Sequence, residues 1–283
     1  MVETDFFLPT IVGAVAYSLL NLIIRSRLKI PTHLERKEQF DYLGQHISLI
    51  HSVQAIAMCV FSYTYSQGID YYGDTDYLQV ITLAISLGYF TYDGIYAEIY
   101  GVHDWPMRIH HIFVLTGGLS LLLQSKGGAI GPVCLFLTEL SNPFLQARLI
   151  MKGRKMESTK IYQANENVFA LVFILNRGII GTAVTYNVHQ YPLPWLLKCM
   201  VSGVYGVSVY WIFIIFSLLS RELKNKKNIS TCEQCILNFM NGVKSNQLLL
   251  ACAIITWSLF LPITLSALEL GPLHIIYKGF RVV

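Results

Sequence analysis

The chain has 283 residues, of which 54% are hydrophobic and only 13% charged, with a net charge of +4 and a mean hydropathy of +0.49. A soluble domain carries roughly 25% charged residues, so water alone cannot solvate this surface and lipid must cover much of it. So small a net charge, with no basic run interleaved with aromatics, excludes nucleic acid as a partner.

The N-terminus, Met-Val-Glu-Thr-Asp, lacks the basic start of a secretory signal and the Arg/Ser-rich character of a transit peptide. The first apolar run is therefore expected to be retained as a membrane span. A spanning helix needs roughly 20 mostly apolar residues. Eight stretches meet or approach this, at about 6–24, 47–65, 78–97, 109–123, 129–150, 168–187, 195–219 and 248–268. The expected class is an all-α, polytopic membrane protein.

Loop charges orient the spans. The segments 25–46, 98–108, 148–167 and 220–247 share one side and hold 16 of the 21 basic residues. Four more, Lys126, Lys198, Lys278 and Arg281, fall on the other side, and Arg177 lies within a span. The opposite loop 66–77 carries Asp70, Asp74 and Asp76 and no base. Both termini are thus expected on the side away from the basic loops. The sequon Asn228-Ile229-Ser230 falls on the basic side and is expected to stay unmodified. The segment 221–247 is expected to lie along the membrane surface and to offer a docking site for a protein partner.

Cys59, Cys134, Cys199 and Cys252 sit in apolar stretches, where a thiol behaves as a small hydrophobe. Cys232 and Cys235 form one CxxC without a second ligand pair, so no metal site is expected.

The informative residues are polar ones inside the spans. A charged group at the bilayer centre costs at least about 2.5–3.5 kcal/mol on insertion scales, and such groups face inward, pair, and mark sites. His46 and His51 open the second span, Asp93 ends the third, and His110 and His111 open the fourth. Glu139, Asn142 and Arg148 lie on the fifth, and Arg177 is mid-sixth. The topology places His51, Asp93, His110, His111, Asn142 and Arg148 in the basic-side half of the membrane. Glu139, Asn142 and Gln146 follow i, i+3, i+7 and share a helix face. His110 and His111 point about 100° apart. The loop His103-Asp104-Trp105-Pro106 is expected to cap the mouth of this region as an interfacial turn.

These residues fall into an ordered set of motifs that resembles the TLC domain family. Glu35-Arg36-Lys37-Glu38-Gln39 followed by Ser48-Leu49-Ile50-His51 resembles the domain's opening. Gly88-Tyr89-Phe90-Thr91-Tyr92-Asp93 resembles its aromatic pair and Asp, and Arg108-Ile109-His110-His111 its paired histidine. Glu139-Leu140-Ser141-Asn142-Pro143-Phe144 with Arg148, and Asn167 through Phe173 with Arg177, resemble the later elements. The set covers about 35–220. It is closest to the branch named for the domain alone. The His-Asp continuation and the further Asp of ceramide synthases, which join an acyl-CoA to a sphingoid base, are absent.

The resemblance implies three parts. Residues 1–34 give an N-terminal helix and basic loop. Residues 35–220 form a core of six spans around a lipid-accessible cavity. Residues 221–283 add the interfacial segment and a further helix. It implies a protein that binds or controls membrane lipid or acyl-chain composition through the polar site. A non-catalytic subunit of a larger membrane assembly and a His-dependent acyltransferase are the alternatives. Whether the chain is an enzyme stays open. If it is one, acyl transfer from acyl-CoA is the class, with acyl-CoA as substrate and no cofactor. His110 or His111 would be base or nucleophile, oriented by Asp93. His51, Glu139, Asn142, Arg148 and Arg177 would bind lipid or substrate, an Arg taking a carboxylate or phosphate head group. The endoplasmic reticulum is the expected membrane, with the mitochondrial inner membrane as alternative.

Overall fold

Helix starts follow local chemistry. Glu38 Oε2 accepts from the Glu35 backbone N–H at 2.9 Å at the start of the helix Arg36–Tyr65. Asp76 accepts from the Gln79 N–H at 3.0 Å, and Gln79 Oε1 accepts from the Asp76 N–H at 3.1 Å. This reciprocal box starts the helix Tyr77–Tyr100. Gly101 ends that helix in the left-handed region (φ 63°), and Asp104 then caps the helix Trp105–Leu122 by accepting from the Met107 N–H at 3.1 Å. Thr159 caps the helix Lys160–Phe173.

The computed structural model describes residues 6–66 and 70–225, the last six of these as backbone only. The helices are α1 (Phe7–Arg27), α2 (Arg36–Tyr65), α3 (Tyr77–Tyr100), α4 (Trp105–Leu122), α5 (Ile130–Glu139), α6 (Asn142–Gly153), α7 (Lys160–Phe173), α8 (Gly181–Gln190) and α9 (Trp195–Asn225). A π-helical segment, Ile174–Ile180, joins α7 to α8 in one continuous rod. The expected span 248–268, the sequon and the Cys232–Cys235 pair lie outside the described residues, as does the segment 226–247.

The distribution of polarity is that of a membrane protein. Leu8, Ile11, Val12, Val15, Leu19, Leu22 and Ile23 of α1 are all more than half exposed, whereas Asn21, His51, Asp93, His110, His111, Glu139 and Arg177 are buried. Water would reverse this arrangement; hydrocarbon favours it. Phe7–Arg27, Arg36–Tyr65, Lys160–Gln190 and Trp195–Leu219 are each long and apolar enough to cross a membrane. The chain is an all-α, multi-pass membrane protein.

Two spans differ from expectation in instructive ways. The fifth, expected as one helix over 129–150, divides into α5 and α6. Pro143 has no N–H to return to the Glu139 carbonyl, so the helical ladder breaks there. The sixth starts at Lys160 rather than near 168 and widens into i→i+5 hydrogen bonding around Arg177.

Helix contacts describe a ring. α2 packs on α3, α3 on α4, α4 on α9, α9 on the π segment and α8, α7 on α6, and α6 on α2. α5 touches α2, α3, α4, the π segment and α8, so it occupies the middle of the ring at one end. There Leu83, Leu87, Leu121, Ile130, Leu137, Val184, Val188 and Leu197 form a continuous apolar core. Because α5 stops at Glu139, the other half of the ring is left without a central helix.

α1 lies outside the ring, packed chiefly on α3. The helices meet at glycines. A Cβ on Gly88 would fall 2.7 Å from the Ala14 nitrogen and 2.9 Å from the Gly13 Cα. Gly88→Val is therefore expected to destabilise the detergent-solubilised protein by about 1–3 kcal/mol. Gly44→Ala, whose new methyl would meet only Tyr96 Cε1 at 3.6 Å, is expected to unfold close to wild type. Thermal unfolding of both variants checks this, and an unchanged Tm for Gly88→Val would count against the α1–α3 contact.

Candidate functional site

Below the end of α5 the ring encloses a cavity of about 470 Å³. Its wall takes residues from the first half of α2 (Asp41, Gln45, Ser48), the end of α3 (Tyr89, Asp93), the start of α4 (Met107, His110, His111), α6 (Asn142, Gln146), α7 (Phe169, Phe173) and the last part of α9 (Trp211, Ile214, Leu218). These helix ends adjoin the basic loops. A second, apolar chamber of about 110 Å³ shares Phe90 and Arg177 with the first. It extends between α3, α4, α5, α8 and α9, where Gly117, Gly118, Gly131 and Gly181 leave room.

Two polar clusters stand on the cavity wall. In the first, Asp93 Oδ2 lies 3.3 Å from His111 Nε2 and 3.4 Å from His103 Nε2. The three side chains are only 9–16% exposed. In the second, Asn142 Nδ2 donates to Glu139 Oε2 at 2.9 Å, bridging the helix break. Arg177 Nη2 donates to the Thr138 carbonyl and, at 3.4 Å, to Asn142 Oδ1. The guanidinium also lies over the rings of Phe173 (4.9 Å) and Trp211 (5.8 Å). Its Nε and Nη1 are buried without a hydrogen-bond partner among the described residues. The π segment accounts for its position: the wider turn rotates the downstream face and leaves Asn176 and Arg177 buried.

Seven of the expected site residues, His110, His111, Asp93, Glu139, Asn142, Arg148 and Arg177, line this one cavity. The two adjacent histidines divide as the helix geometry requires. His111 turns to Asp93, while His110 meets the Trp211 ring edge-on at 5.4 Å. Glu139, Asn142 and Gln146 share the wall despite the helix break. Arg148 stands nearer the rim, paired with Glu166 at 2.7 Å.

His51 is placed elsewhere. Its ring stacks flat on Tyr89 at 3.6 Å, and its Nδ1 is 3.0 Å from the Tyr17 hydroxyl of α1. It thus stands behind the wall and braces Tyr89. Three residues join the site that the sequence reading did not assign to it: His103, Trp211 and Glu166. His103 alone left a signal, as a third metal- or carboxylate-seeking side chain within a short stretch that also holds Asp93 and His111. Trp211 sits in an apolar span and is indistinguishable by pattern from a lipid-facing residue.

A family model described as the TLC domain matches residues 43–217. The chain belongs to the TLC domain family. It is 28% identical to TLC domain-containing protein 4 A of Dictyostelium discoideum, over 57% of this chain and 64% of that protein. It is 28% identical to TLC domain-containing protein 1 of Gallus gallus, over 46% and 53%, and 26% identical to the protein of that name from Homo sapiens, over 50% and 58%. The matched stretches thus span between about half and two thirds of those relatives. Every expected site residue falls inside the TLC domain match. α1, whose Tyr17 reaches His51 and whose Asn21 donates to Tyr92, lies outside it and buttresses the TLC domain from behind α3.

The two arginines that line the cavity of this TLC domain, Arg148 and Arg177, are expected to differ sharply in their contribution to stability. Arg148 and Glu166 are 22% and 32% exposed, so their pairing is worth under about 1 kcal/mol. Arg177 is buried, and its loss leaves the Thr138 carbonyl and Asn142 Oδ1 without their donor and the buried Glu139 without a nearby cation, at a cost of roughly 3 kcal/mol. Unfolding midpoints of Arg148→Ala and Arg177→Ala in one detergent measure the difference. Equal losses would show that burial does not separate them.

Proposed function

We propose that the chain is a membrane-embedded lipid-handling protein that holds an acyl lipid in the TLC cavity, head group against the Arg177 cluster and chain along the apolar wall. The observation that carries this reading is Arg177. It is a buried cation on a cavity wall with two of its three guanidinium nitrogens unpartnered among the described residues. Leaving such donors bare is costly, and an anionic oxygen pair from a carboxylate or phosphate matches the guanidinium fork.

The rest of the cavity suits the other end of the same molecule. Phe169, Phe173, Ile214 and Leu218 supply an apolar wall next to the guanidinium. The chamber lined by Gly117, Gly118 and Gly131 continues past Arg177 into the closed half of the ring. A ligand with an anionic head and a hydrocarbon tail would therefore satisfy both regions. The mouth lies at the end of the bundle with the basic loops, where an anionic lipid is attracted electrostatically. Binding of this kind needs no chemistry from the protein.

Lipid mass spectrometry on the protein purified in mild detergent tests the proposal. A stoichiometric acyl lipid with a carboxylate or phosphate group is expected. Ala170→Trp would place an indole in the cavity and is expected to abolish co-purification of that lipid while the protein still unfolds cooperatively. Arg177→Gln is expected to weaken it about tenfold or more, the loss of one charge-assisted contact. A wild-type protein without bound lipid, or an Ala170→Trp variant with its full complement, would refute the reading.

A further inference from the structure

Asp93, His103 and His111 come from the end of α3, the following loop and the start of α4, and each offers one ligand atom within 4.8 Å of the other two. From this geometry we infer a divalent metal site of the zinc type on the cavity wall, with two imidazoles and one carboxylate as protein ligands and its remaining position open to the cavity.

The distances fit the ion. With metal–nitrogen and metal–oxygen bonds of about 2.0–2.1 Å, the edge of a tetrahedral site is about 3.3 Å. The two edges meeting at Asp93 Oδ2 are 3.3 and 3.4 Å. The third, between the imidazoles, is within 4.8 Å and closes with a small shift of His103, which sits on a loop between α3 and α4.

The donor set fits as well. Two histidines and one carboxylate with open positions is a recurrent catalytic-type set, whereas structural zinc is usually held by four protein ligands. The alternative donors nearby are excluded by geometry: His110 turns to Trp211, and Glu139 is bound to Asn142. Asp41 lines the same cavity and lies within electrostatic reach of His103. Its carboxylate would offset the charge that the ion leaves after Asp93. The cation would also share the cavity with the guanidinium of Arg177, giving an anionic ligand two positive partners. The site shares a cavity with the proposed lipid but does not depend on it, since metal can be measured in delipidated protein.

The test uses the full chain, purified with a tag free of histidine, stripped with chelator and dialysed against zinc or cobalt. One zinc per chain is expected by elemental analysis. The cobalt form is expected to show the intense visible bands of a tetrahedral site. Asp93→Asn and His103→Ala are expected to lose both, and Cys232→Ser/Cys235→Ser, which removes the competing thiol pair, to keep both. Because a ligand deletion can unfold the protein, His103→Cys in the Cys232→Ser/Cys235→Ser background supplies a gained signal, a thiolate-to-cobalt charge-transfer band absent from that background alone. Failure of the folded wild type to retain metal, equal retention by His103→Ala, or cobalt-loaded His103→Cys without the new band would each overturn the site. Loss of lipid with metal retained would overturn the lipid reading alone.

Discussion

Hydrocarbon accepts no hydrogen bond, so polar side chains in this bundle turn to one another across the packed helices. That requirement organises the packing. Asn21 donates to Tyr92, Tyr17 meets His51, Tyr89 donates to Ser48, and Tyr96 donates to the Phe40 carbonyl. These bonds tie α1, α2 and α3 into one aromatic block, with Tyr17, Tyr89, Phe90, Tyr92 and Tyr96 buried together. The block is the rigid back wall against which Asp93 and Tyr89 present themselves to the cavity. α1 thus has a structural part in the site although it contributes no lining residue.

The cavity exists because the central helix is short. α5 fills the ring at one end with Ile130, Leu135 and Leu137, and Pro143 then turns the chain outward into α6. The same break puts Glu139 at the tip of α5 and Asn142 at the start of α6, close enough to bond to each other. A straight helix through this region would have filled the ring from end to end. A single residue without an N–H therefore both creates the empty half and furnishes part of its polar lining.

Much of this was legible in the sequence, for identifiable reasons. Buried ionisable residues within apolar runs gave His110, His111, Asp93 and Glu139, and loop charge put the first three at one end of the bundle. Period-3.6 arithmetic kept Glu139, Asn142 and Gln146 together because Leu140 and Ser141 hold helical backbone angles through the break. Depth in the membrane, however, says nothing about which way a helix is turned, so His51 was grouped with residues it does not face. The π segment has no sequence signature of its own, so spacing assigned Arg177 only to a span, and its place among the site residues came from the resemblance alone. His103 lay in a loop, where spacing rules lose their force, and only the left-handed turn at Gly101 carries it back over Asp93.

The two clusters differ in what they offer. Around Asp93, one carboxylate oxygen faces two imidazole nitrogens at 3.3 and 3.4 Å. Around Arg177, the Thr138 carbonyl and Asn142 use a single nitrogen, and the aromatic faces of Phe173 and Trp211 stabilise the charge without accepting a hydrogen bond directionally. Glu139 sits next to this cation yet spends its contact on Asn142, so no carboxylate saturates the guanidinium directly. A protein under selection for stability alone would close that gap by turning Glu139 onto Arg177 or by replacing both with apolar residues, an exchange that is often stabilising. Keeping the cation half-satisfied beside a cavity is costly in the folded protein, and an anion from outside would offset that cost.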